Sequence, residues 1–472
     1  MAKILFLQNV WYEFLGVMQL SAILKYNGHT CDVILGSKKD IITKLKKINP
    51  DLIALSIMNV QREWAFKIAK SIKENGIKTP IILGGADPTL NPEIINNKYI
   101  DIICRGEGEG ALLDLVDNLE KHKDITKIKN LWIKKDGKIY KNELRPLIEN
   151  LDELPFPDRN LYNQYDFFRK KEATVFLAWR GCPFNCSFCF NHSFSKMYAE
   201  KGKFLRVRSP ENIIKEIKEV DKNYKIKTVF FIDSTFNLNN EWVIKFLQKY
   251  KKEVKIPFTF NVRADLINEE IIKNIADTGL CVNIRFAIET GNEKLRKGVL
   301  NKQITNKQII EAARLFKKYN LKVVVFNMFG IPGETIEDAL ETIKINSKVK
   351  PFVSSNLIFM PYPNLDITNF ALEKGYVNKK DFKKLSIGKY KIYRSVLKQK
   401  DINQVSNLHK FSVIAIKFPF LLPIIKKLII LPQNKIFDHL YSLSQAWEWK
   451  KWENVSFLRF AQEIMKNYKE FS

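Results

Sequence analysis

Residues 180–191 read RGCPFNCSFCFN and place Cys182, Cys186 and Cys189 within eight positions. Three thiolates on one loop suit a 4Fe–4S cluster, because they leave one iron open to a small-molecule ligand. Zinc is a competing interpretation, although a structural zinc site needs four closed ligands and His192 is the one nearby fourth. Three inert cysteines that lie close together are the third interpretation. The chain has six cysteines in 472 residues, which argues against a disulfide framework.

Short apolar runs on the carboxyl side of this loop predict a repeated strand–helix unit. Each adjacent pair is separated by enough residues for a crossover helix, and Ser209-Pro210-Glu211 is typical of a helix start. Six such units predict a barrel or partial barrel, whose chemistry belongs at the carboxyl ends of the strands. The predicted strands are Thr174–Trp179, Thr228–Ile232, Phe258–Val262, Asn283–Ile288, Lys322–Met328 and Val353–Met360.

Polar or conformationally special residues follow these strands. The cysteine loop comes after the first, Asp233 ends the second, Arg263 follows the third, Glu289 the fourth and residues 330–333, Gly-Ile-Pro-Gly, the fifth. Each also has a simpler interpretation. Asp233 would cap the next helix, Arg263 would pair with a carboxylate, and the glycine–proline segment would form a turn before a helix at Glu334-Thr335.

The spacing Cys-x-x-x-Cys-x-x-Cys, with the aromatic Phe188 before the last cysteine, resembles the radical S-adenosylmethionine superfamily. The resemblance implies that the open iron binds the amino and carboxylate groups of S-adenosylmethionine. It implies that one-electron reduction then yields methionine and a 5′-deoxyadenosyl radical, within a partial six-unit barrel. By position, it implies cosubstrate contacts at Phe188, at Asp233 (methionine amino group), at Arg263, at Glu289 (ribose), and at Gly330 and Pro332 (adenine).

The first 125 residues alternate short apolar runs with amphipathic stretches such as Arg62–Glu74. This pattern predicts an open, doubly wound parallel sheet that binds ligands at the carboxyl ends of its strands. Residues 131–140, LWIKKDGKIY, predict a hairpin with a turn at Asp136-Gly137. We therefore expect an amino-terminal Rossmann-like domain (1–125), a linker (126–170), a barrel (171–370) and a mainly helical region (371–472). The predicted strands of the first domain are Ile4–Leu7, Cys31–Leu35, Leu52–Ser56, Pro80–Leu83 and Ile102–Cys104.

Two elements at the ends of these strands resemble cobalamin-binding domains. Ser56-Ile57-Met58 ends the third strand and Gly84-Gly85 ends the fourth. In that family a small hydroxyl and bare backbone let the nucleotide tail of cobalamin enter the sheet, where a side chain would block its approach. Gly106 and Glu107, within the loop Arg105–Glu109, resemble the corresponding loop of cobalamin-dependent radical enzymes. A degenerate domain that no longer binds cobalamin is the alternative.

One departure concerns the lower face of the cobalt. Corrinoid domains that ligate cobalt by histidine carry Asp-x-His-x-x-Gly after the first strand, whereas the aligned positions here are Trp11, Glu13 and Gly16. The family commonly lacks this histidine. The resemblance therefore implies that the lower face is open, bound to water or approached by another side chain.

Together the resemblances imply a cobalamin-dependent radical S-adenosylmethionine enzyme that methylates an unactivated carbon. The alternatives are a radical cyclase or rearrangement enzyme without net methyl transfer, a radical enzyme without cobalamin, and a non-catalytic corrinoid- or redox-sensing protein. A methylthiotransferase is disfavoured, because that class needs a second cysteine triad upstream and only Cys31 and Cys104 precede the loop.

The net charge of +27 reflects lysines dispersed along the chain, with no basic stripe to indicate nucleic-acid binding. The amino terminus has no signal-peptide pattern, and residues 413–431 are too interrupted by lysine and proline to span a bilayer. We expect a cytoplasmic enzyme with a small-molecule or lipid-like substrate and an electron donor such as flavodoxin or ferredoxin. Residues 411–435 predict either a peripheral membrane contact or an ordinary packing helix.

Overall fold

The amino-terminal part is a seven-stranded sheet with helices on both faces. The computed structural model describes residues 1–36, 38–169, 171–385 and 394–453. The spatial order of the strands is β2-β1-β3-β4-β5-β6-β7, with β1 to β5 parallel and the hairpin β6–β7 antiparallel at one edge. The strands are β1 (Lys3–Gln8), β2 (Thr30–Leu35), β3 (Leu52–Ser56), β4 (Ile81–Gly84), β5 (Ile102–Cys104), β6 (Leu131–Lys135) and β7 (Lys138–Lys141).

Both faces of this sheet are covered, which explains why its strands read as continuous apolar runs. One face packs on α1 and α5, and the other packs on α2 and α3. The predicted doubly wound sheet is confirmed, and the predicted hairpin extends it. The helices are α1 (Leu15–Tyr26), α2 (Lys38–Ile48), α3 (Arg62–Glu74), α4 (Ala86–Leu90), α5 (Glu109–Glu120) and α6 (Asp166–Arg169).

The second part is a six-stranded parallel sheet in the order β15-β14-β13-β12-β11-β8, which is the predicted partial barrel. Large aromatic side chains of its strands, such as Phe231 and Phe260, pack in one core cluster with Phe246 of the surrounding helix α9 (Asn240–Glu253). A separate two-stranded ribbon, β9 with β10, lies beside the cysteine loop. The strands are β8 (Thr174–Phe176), β9 (Trp179–Arg180), β10 (Arg206–Val207), β11 (Val229–Phe231), β12 (Phe258–Asn261), β13 (Cys281–Glu289), β14 (Val323–Phe329) and β15 (Val353–Ile358).

Helix starts in the barrel follow local capping rules. The side chain of Ser209 accepts a hydrogen bond from Asn212 N at the start of α8, and Thr335 forms a capping box with Asp338 at the start of α13. The helices of this part are α7 (Phe190–Met197), α8 (Pro210–Tyr224), α9 (Asn240–Glu253), α10 (Glu269–Asp277), α11 (Glu293–Gly298), α12 (Asn306–Lys318), α13 (Ile336–Val349), α14 (Asp366–Glu373) and α15 (Lys379–Leu385).

The remaining described residues form α16 (Ile402–Lys417), α17 (Leu422–Leu428) and α18 (Lys435–Glu453), as the helical prediction required. Residues 386–393 and 454–472, which fall under the same prediction, lie outside the described residues. No helix in the described ranges is long and apolar enough to cross a membrane. The limits predicted for the four domains stay predictions.

Side chains of α16 and α18 bind the backbone at the free edge of β15. Glu448 accepts a hydrogen bond from Ser354 N at 2.7 Å. Tyr441 and His409 contact Asn356 O at 3.0 Å each. Burial lowers the pKa of His409 to about 4, which keeps the imidazole neutral at neutral pH. These contacts satisfy backbone groups that an uncovered edge strand would present to other chains.

Candidate active site

A cavity of about 670 Å³ lies between the carboxyl edge of the amino-terminal sheet and the mouth of the barrel. Ser56 and Gly85 line it from the sheet, and Gly181, Phe190 and Ser234 line it from the barrel. Leu151 and residues 154–157 of the predicted linker form part of the same wall. The carboxyl ends of both sheets therefore face one shared space, which is where each fold places its chemistry.

The cysteine loop begins with a turn that only glycine fits. Gly181 has φ +87°, and a Cβ there would lie 2.3 Å from Phe204 O. Further along, Ser187 N donates to Leu300 O at 3.0 Å and Ser187 Oγ donates to Val299 O at 2.6 Å. The loop is thus fixed to the segment after α11, a tertiary contact that orients the three thiols.

The three thiols are free and do not converge as ligands of a single ion would. Thiolates bound tetrahedrally to one zinc lie about 3.8 Å apart, given a Zn–S bond of about 2.3 Å. Within the described ranges, the one group of three potential ligand atoms that all lie within 4.8 Å is His29, Asp117 and Glu120. The three cysteines are not in such a group, so their thiols do not form a closed site for one ion.

Charged side chains surround Cys186. Burial raises the pKa of its thiol, and the positive charges of Lys302 and Arg263 act in the opposite direction. Arg263 also lies over the Phe184 ring, with its guanidinium carbon 3.3 Å from the centroid, and pairs with Asp265 at 3.0 Å. The predicted site residue Arg263 therefore lies near Cys186 and also forms an ion pair with Asp265. Lys302 was missed because it lies in a loop without a motif.

Glu289 ends β13 in a strained conformation. Its φ is +65°, which is costly for a residue with a side chain, and it is buried. Lys302 Nζ donates to Glu289 Oε1 at 2.9 Å and to Ala287 O at 2.9 Å. The buried guanidinium of Arg296 donates to Ile288 O at 3.0 Å and also contacts Thr290 O, on either side of Glu289. These contacts hold the carboxylate at the barrel mouth.

Asp233 is fully buried after β11 and supports the strand that precedes the cysteine loop. Its Oδ1 accepts hydrogen bonds from Ala178 N at 2.9 Å and Trp179 N at 2.5 Å. Its Oδ2 has no partner among the described residues. Asp233 does not cap α9, because the capping residue of that helix is Asn239. The neighbouring Ser234, not Asp233, reaches the cavity and accepts from Asn191 at 2.8 Å.

We expect Asp233 to make the apo protein less stable as the pH rises. Burial raises the pKa of this carboxyl from 3.8 to about 7 despite hydrogen bonds from Trp179 and Ala178. The folded state therefore holds the proton more tightly, and stability falls between about pH 4 and pH 7. Thermal unfolding of Asp233→Asn across this range should show a flatter profile. The exposed hairpin variant Asp136→Asn should keep the wild-type profile, and equal slopes in all three proteins would contradict the prediction.

The segment after β14 forms a buried turn outside the cavity lining. Gly330 has φ +70°, and its N–H donates to Glu334 Oε2 at 2.5 Å. Burial raises the pKa of Glu334 to about 8. Gln399 donates to Ile331 O and Glu334 O, so the turn containing Pro332 is held by the carboxyl-terminal region. The described helix begins at Ile336, after the predicted Glu334-Thr335 start.

Phe188 packs in a cluster with Ile331 and Leu300 and so connects the cysteine loop to the segment after β14. The structure thereby groups four of the predicted cosubstrate residues around the loop: Phe188, Arg263 and Glu289 directly, and Gly330 through Ile331. None of them lines the cavity between the two sheets. Their contacts with S-adenosylmethionine stay predictions.

The predicted cobalamin residues Gly16, Ser56, Met58, Gly84 and Gly85 all line the cavity. Gly85 has φ +93°, and a Cβ there would lie 2.8 Å from Ile57 O and 3.0 Å from Ser56 Oγ. Because no side chain has room at position 85, the backbone there is not covered by one. The bare backbone of Gly84 and Gly85 forms a cradle on the cavity wall, against which the nucleotide tail of a corrinoid would fit.

The loop containing Gly106 and Glu107 fastens the two sheets together. Arg180 contacts Glu107 at 3.1 Å, and Arg206 contacts it at 2.9 Å. Burial alone would raise the pKa of Glu107, but Arg206 and Arg180 outweigh it and hold the pKa below its ordinary value. A Cβ on Gly106 would lie 1.8 Å from the Tyr198 hydroxyl. This loop is therefore both a cavity wall and an inter-domain contact.

Trp11 and Glu13 do not line the cavity. Trp11 packs edge-on against Tyr165, with ring centroids 5.5 Å apart, and Glu13 is a buried ion-pair partner of Lys171. Of the three positions aligned with the histidine motif, Gly16 alone lines the cavity, and a role of any of them in cobalamin binding stays a prediction. The residue between them, Tyr12, is exposed and lines the cavity instead.

Comparisons with known proteins agree with this geometry. Residues 11–116 match the model of the B12 binding domain, and residues 177–345 match that of the radical SAM superfamily. An uncharacterized methyltransferase of Pyrococcus horikoshii is 32% identical over 372 residues, covering 76% of this chain and 78% of that protein. The chain belongs to the cobalamin-binding radical S-adenosylmethionine family. The cofactors of this family are a 4Fe–4S cluster, S-adenosylmethionine and cobalamin, and the cysteine loop and the glycine cradle fit them.

Other members of this family are more distant. The anaerobic magnesium-protoporphyrin IX monomethyl ester cyclase of Rubrivivax gelatinosus is 24% identical, covering 74% of this chain and 65% of that protein. Among solved structures, the cobalamin-dependent radical enzyme OxsB with aqua-cobalamin and S-adenosylmethionine is 20% identical, with TM-score 0.69. The match covers 95% of this chain and 71% of the OxsB chain. The methyltransferase TsrM from Kitasatospora setae, with tryptophan and a cosubstrate analogue, is 16% identical, with TM-score 0.66. The match covers 79% of this chain and 76% of the TsrM chain. These similarities show the fold.

Proposed function

We propose that this enzyme transfers a methyl group from S-adenosylmethionine to an unactivated carbon of a small or lipid-like molecule. The observation that carries the proposal is the shared cavity, into which both the glycine cradle and the flanks of the cysteine loop open. A carbon placed there would lie within reach of both cofactors. The relationship to the Pyrococcus methyltransferase supports the same reaction class.

When bound, the cluster supplies an electron for cleavage of S-adenosylmethionine and the cobalamin carries the methyl group. The net reaction then consumes one R–H, two molecules of S-adenosylmethionine and two electrons. It gives R–CH₃, S-adenosylhomocysteine, methionine and 5′-deoxyadenosine. This stoichiometry distinguishes methyl transfer from every reaction that uses the radical alone.

The chain's own residues prepare the site for this chemistry. Lys302 and Arg263 bring positive charge to Cys186, which favours the thiolate that iron requires. Arg296 and Lys302 fix Glu289 at the barrel mouth. The unpartnered Asp233 Oδ2 is a buried acceptor that suits an ammonium donor such as the methionine amino group.

We expect anaerobically reconstituted enzyme to form 5′-deoxyadenosine and S-adenosylhomocysteine in equal amounts. The enzyme would be incubated with a strong reductant, S-adenosylmethionine with a deuterated methyl group, and a solvent extract of the organism that carries the chain. Mass spectrometry should detect a product with the labelled methyl group. Enzyme prepared without cobalamin should form 5′-deoxyadenosine and no S-adenosylhomocysteine.

The control compares two cysteines. Cys186→Ser should abolish both products because an iron ligand is lost, whereas Cys281→Ala, outside the loop, should retain both. Formation of 5′-deoxyadenosine alone by the complete enzyme, with no label in any product, would contradict methyl transfer. That outcome would favour a ring-forming reaction, for which the similarity to the anaerobic cyclase is the supporting observation.

We also infer a small one-electron donor of the flavodoxin or ferredoxin type. Reduction of the cluster requires a low-potential donor, and the net charge of +27 favours association with an acidic protein.

A further inference from the structure

Residues 418–436 expose an unusual number of large apolar side chains. Phe420, Ile430 and Ile436 are 74%, 69% and 70% exposed, although residues of these types are normally buried. Phe418, Ile424 and Leu431 are also exposed. We call these six side chains, with Lys426, Lys427 and Lys435, the basic apolar patch.

The patch is the outer face of a segment that is well packed on its inner face. Ile425 and Ile429 are 3% and 2% exposed and lie in a core cluster with Phe411 of α16. Residues 411–416 are themselves largely buried, which agrees with the packing-helix alternative predicted for 411–435. The exposed side chains therefore belong to a firmly attached element and not to an unfolded segment.

The charge of the patch has one sign. Residues 418–437 contain three lysines and no aspartate or glutamate. Lys426, Lys427 and Lys435 have no ion-pair partner in the described part of the chain. In contrast, Lys410 and Lys417 on the inner side pair with Asp438 and Glu448, at 2.7 and 2.9 Å. The patch thus combines unpaired positive charge with exposed apolar surface.

We propose that the basic apolar patch docks on the surface of a bilayer that contains anionic lipids. Large apolar side chains enter the boundary between headgroups and acyl chains, while adjacent lysines bind the lipid phosphates. A protein partner would be expected to place carboxylates against the lysines and to leave fewer apolar residues at the rim. The proposal concerns location only and does not depend on methyl transfer.

Vesicle flotation of the full chain tests this docking. With vesicles of phosphatidylglycerol and phosphatidylcholine, we expect the protein to float at low salt, and to float less at high salt or with phosphatidylcholine alone. Lys426→Glu with Lys427→Glu should weaken binding by roughly tenfold or more. Phe420→Ser with Ile430→Ser should weaken binding by a similar factor at every salt concentration.

Two matched controls distinguish the effect of the patch on vesicle binding from the effect of charged or apolar side chains elsewhere on the surface. Lys251→Glu with Lys252→Glu makes the same charge change in the last turn of α9, and Tyr26→Ser removes an aromatic ring that is 82% exposed. Both should bind vesicles like the wild type. Equal binding by all variants would overturn the proposal. A wild-type chain that never floats would also overturn it, and a second copy or a protein partner would then be the occupant of the patch.

Discussion

Gly85→Ala is expected to abolish cobalamin binding while iron uptake stays at the wild-type level. The added Cβ would lie 2.8 Å from Ile57 O and 2.9 Å from Ile57 N, so the end of β4 must move away from β3. The positive φ of +93° adds about 1–2 kcal/mol of backbone strain. Both effects distort the cradle that the two strand ends form on the cavity wall. The visible absorption of bound cobalamin, measured after gel filtration, gives the occupancy, and iron analysis of the same sample gives the cluster content.

Gly76→Ala is the matched control, because Gly76 has φ +79° in the same domain but nothing within 4 Å of its Cβ position. This variant carries the conformational strain without the clash. It should bind cobalamin like the wild type. Wild-type occupancy in Gly85→Ala would show that the cradle does not hold the cofactor. Loss in both variants would show that strain alone explains the result.

Arg296→Met should destabilise the barrel by about 3–5 kcal/mol, because it leaves buried carbonyl groups without donors. The guanidinium is fully buried and donates to Ile288 O and Ile304 O, at 3.0 Å each, and to Asn306 Oδ1 at 2.7 Å. Burial lowers the pKa of Arg296 to about 10. Denaturant unfolding of the apo protein measures the change. Binding of S-adenosylmethionine should weaken as well, since Glu289 loses its support.

Arg314→Met provides the comparison on α12. Its guanidinium is 59% exposed and pairs with Glu311 at 2.7 Å, and exposed pairs of this kind contribute little to stability. Arg296→Lys should remain strongly destabilised, because an ammonium group cannot reproduce the planar fork. A small effect of Arg296→Met, equal to that of Arg314→Met, would contradict the role assigned to this side chain.

The sequence predicted the strands well because their signal is local. Leu52–Ser56 and Ile102–Cys104 have the predicted bounds, since a short apolar run between polar segments is sufficient to define a buried parallel strand. The residues at the strand ends were predicted from their resemblance to cobalamin-binding domains. Ser56 and Gly85 line the cavity because the carboxyl ends of parallel strands meet at one edge.

Contacts between distant segments were not predictable in this way. Arg296 and Lys302 carry no motif, and their roles depend on carbonyl groups brought near by folding. Trp11 and Glu13 were placed by alignment with a motif that the chain has lost, whereas packing against Tyr165 and Lys171 decides where they lie. Burial of the residues of α16 distinguishes the exposed side chains at 418–436 from the buried ones just before them, and this packing is not visible in the sequence.

The ion pairs of Glu107 with Arg180 and Arg206 have a consequence for substrate choice. Arg180 immediately precedes the cysteine loop, and Glu107 belongs to the wall of the cobalamin side. These ion pairs hold the two walls of the cavity together, so cofactors bound on the two sides would be kept at a separation that the fold sets. A substrate would then be selected by its fit to the space between them. Only a molecule that presents the same carbon to both sides of that space would be methylated.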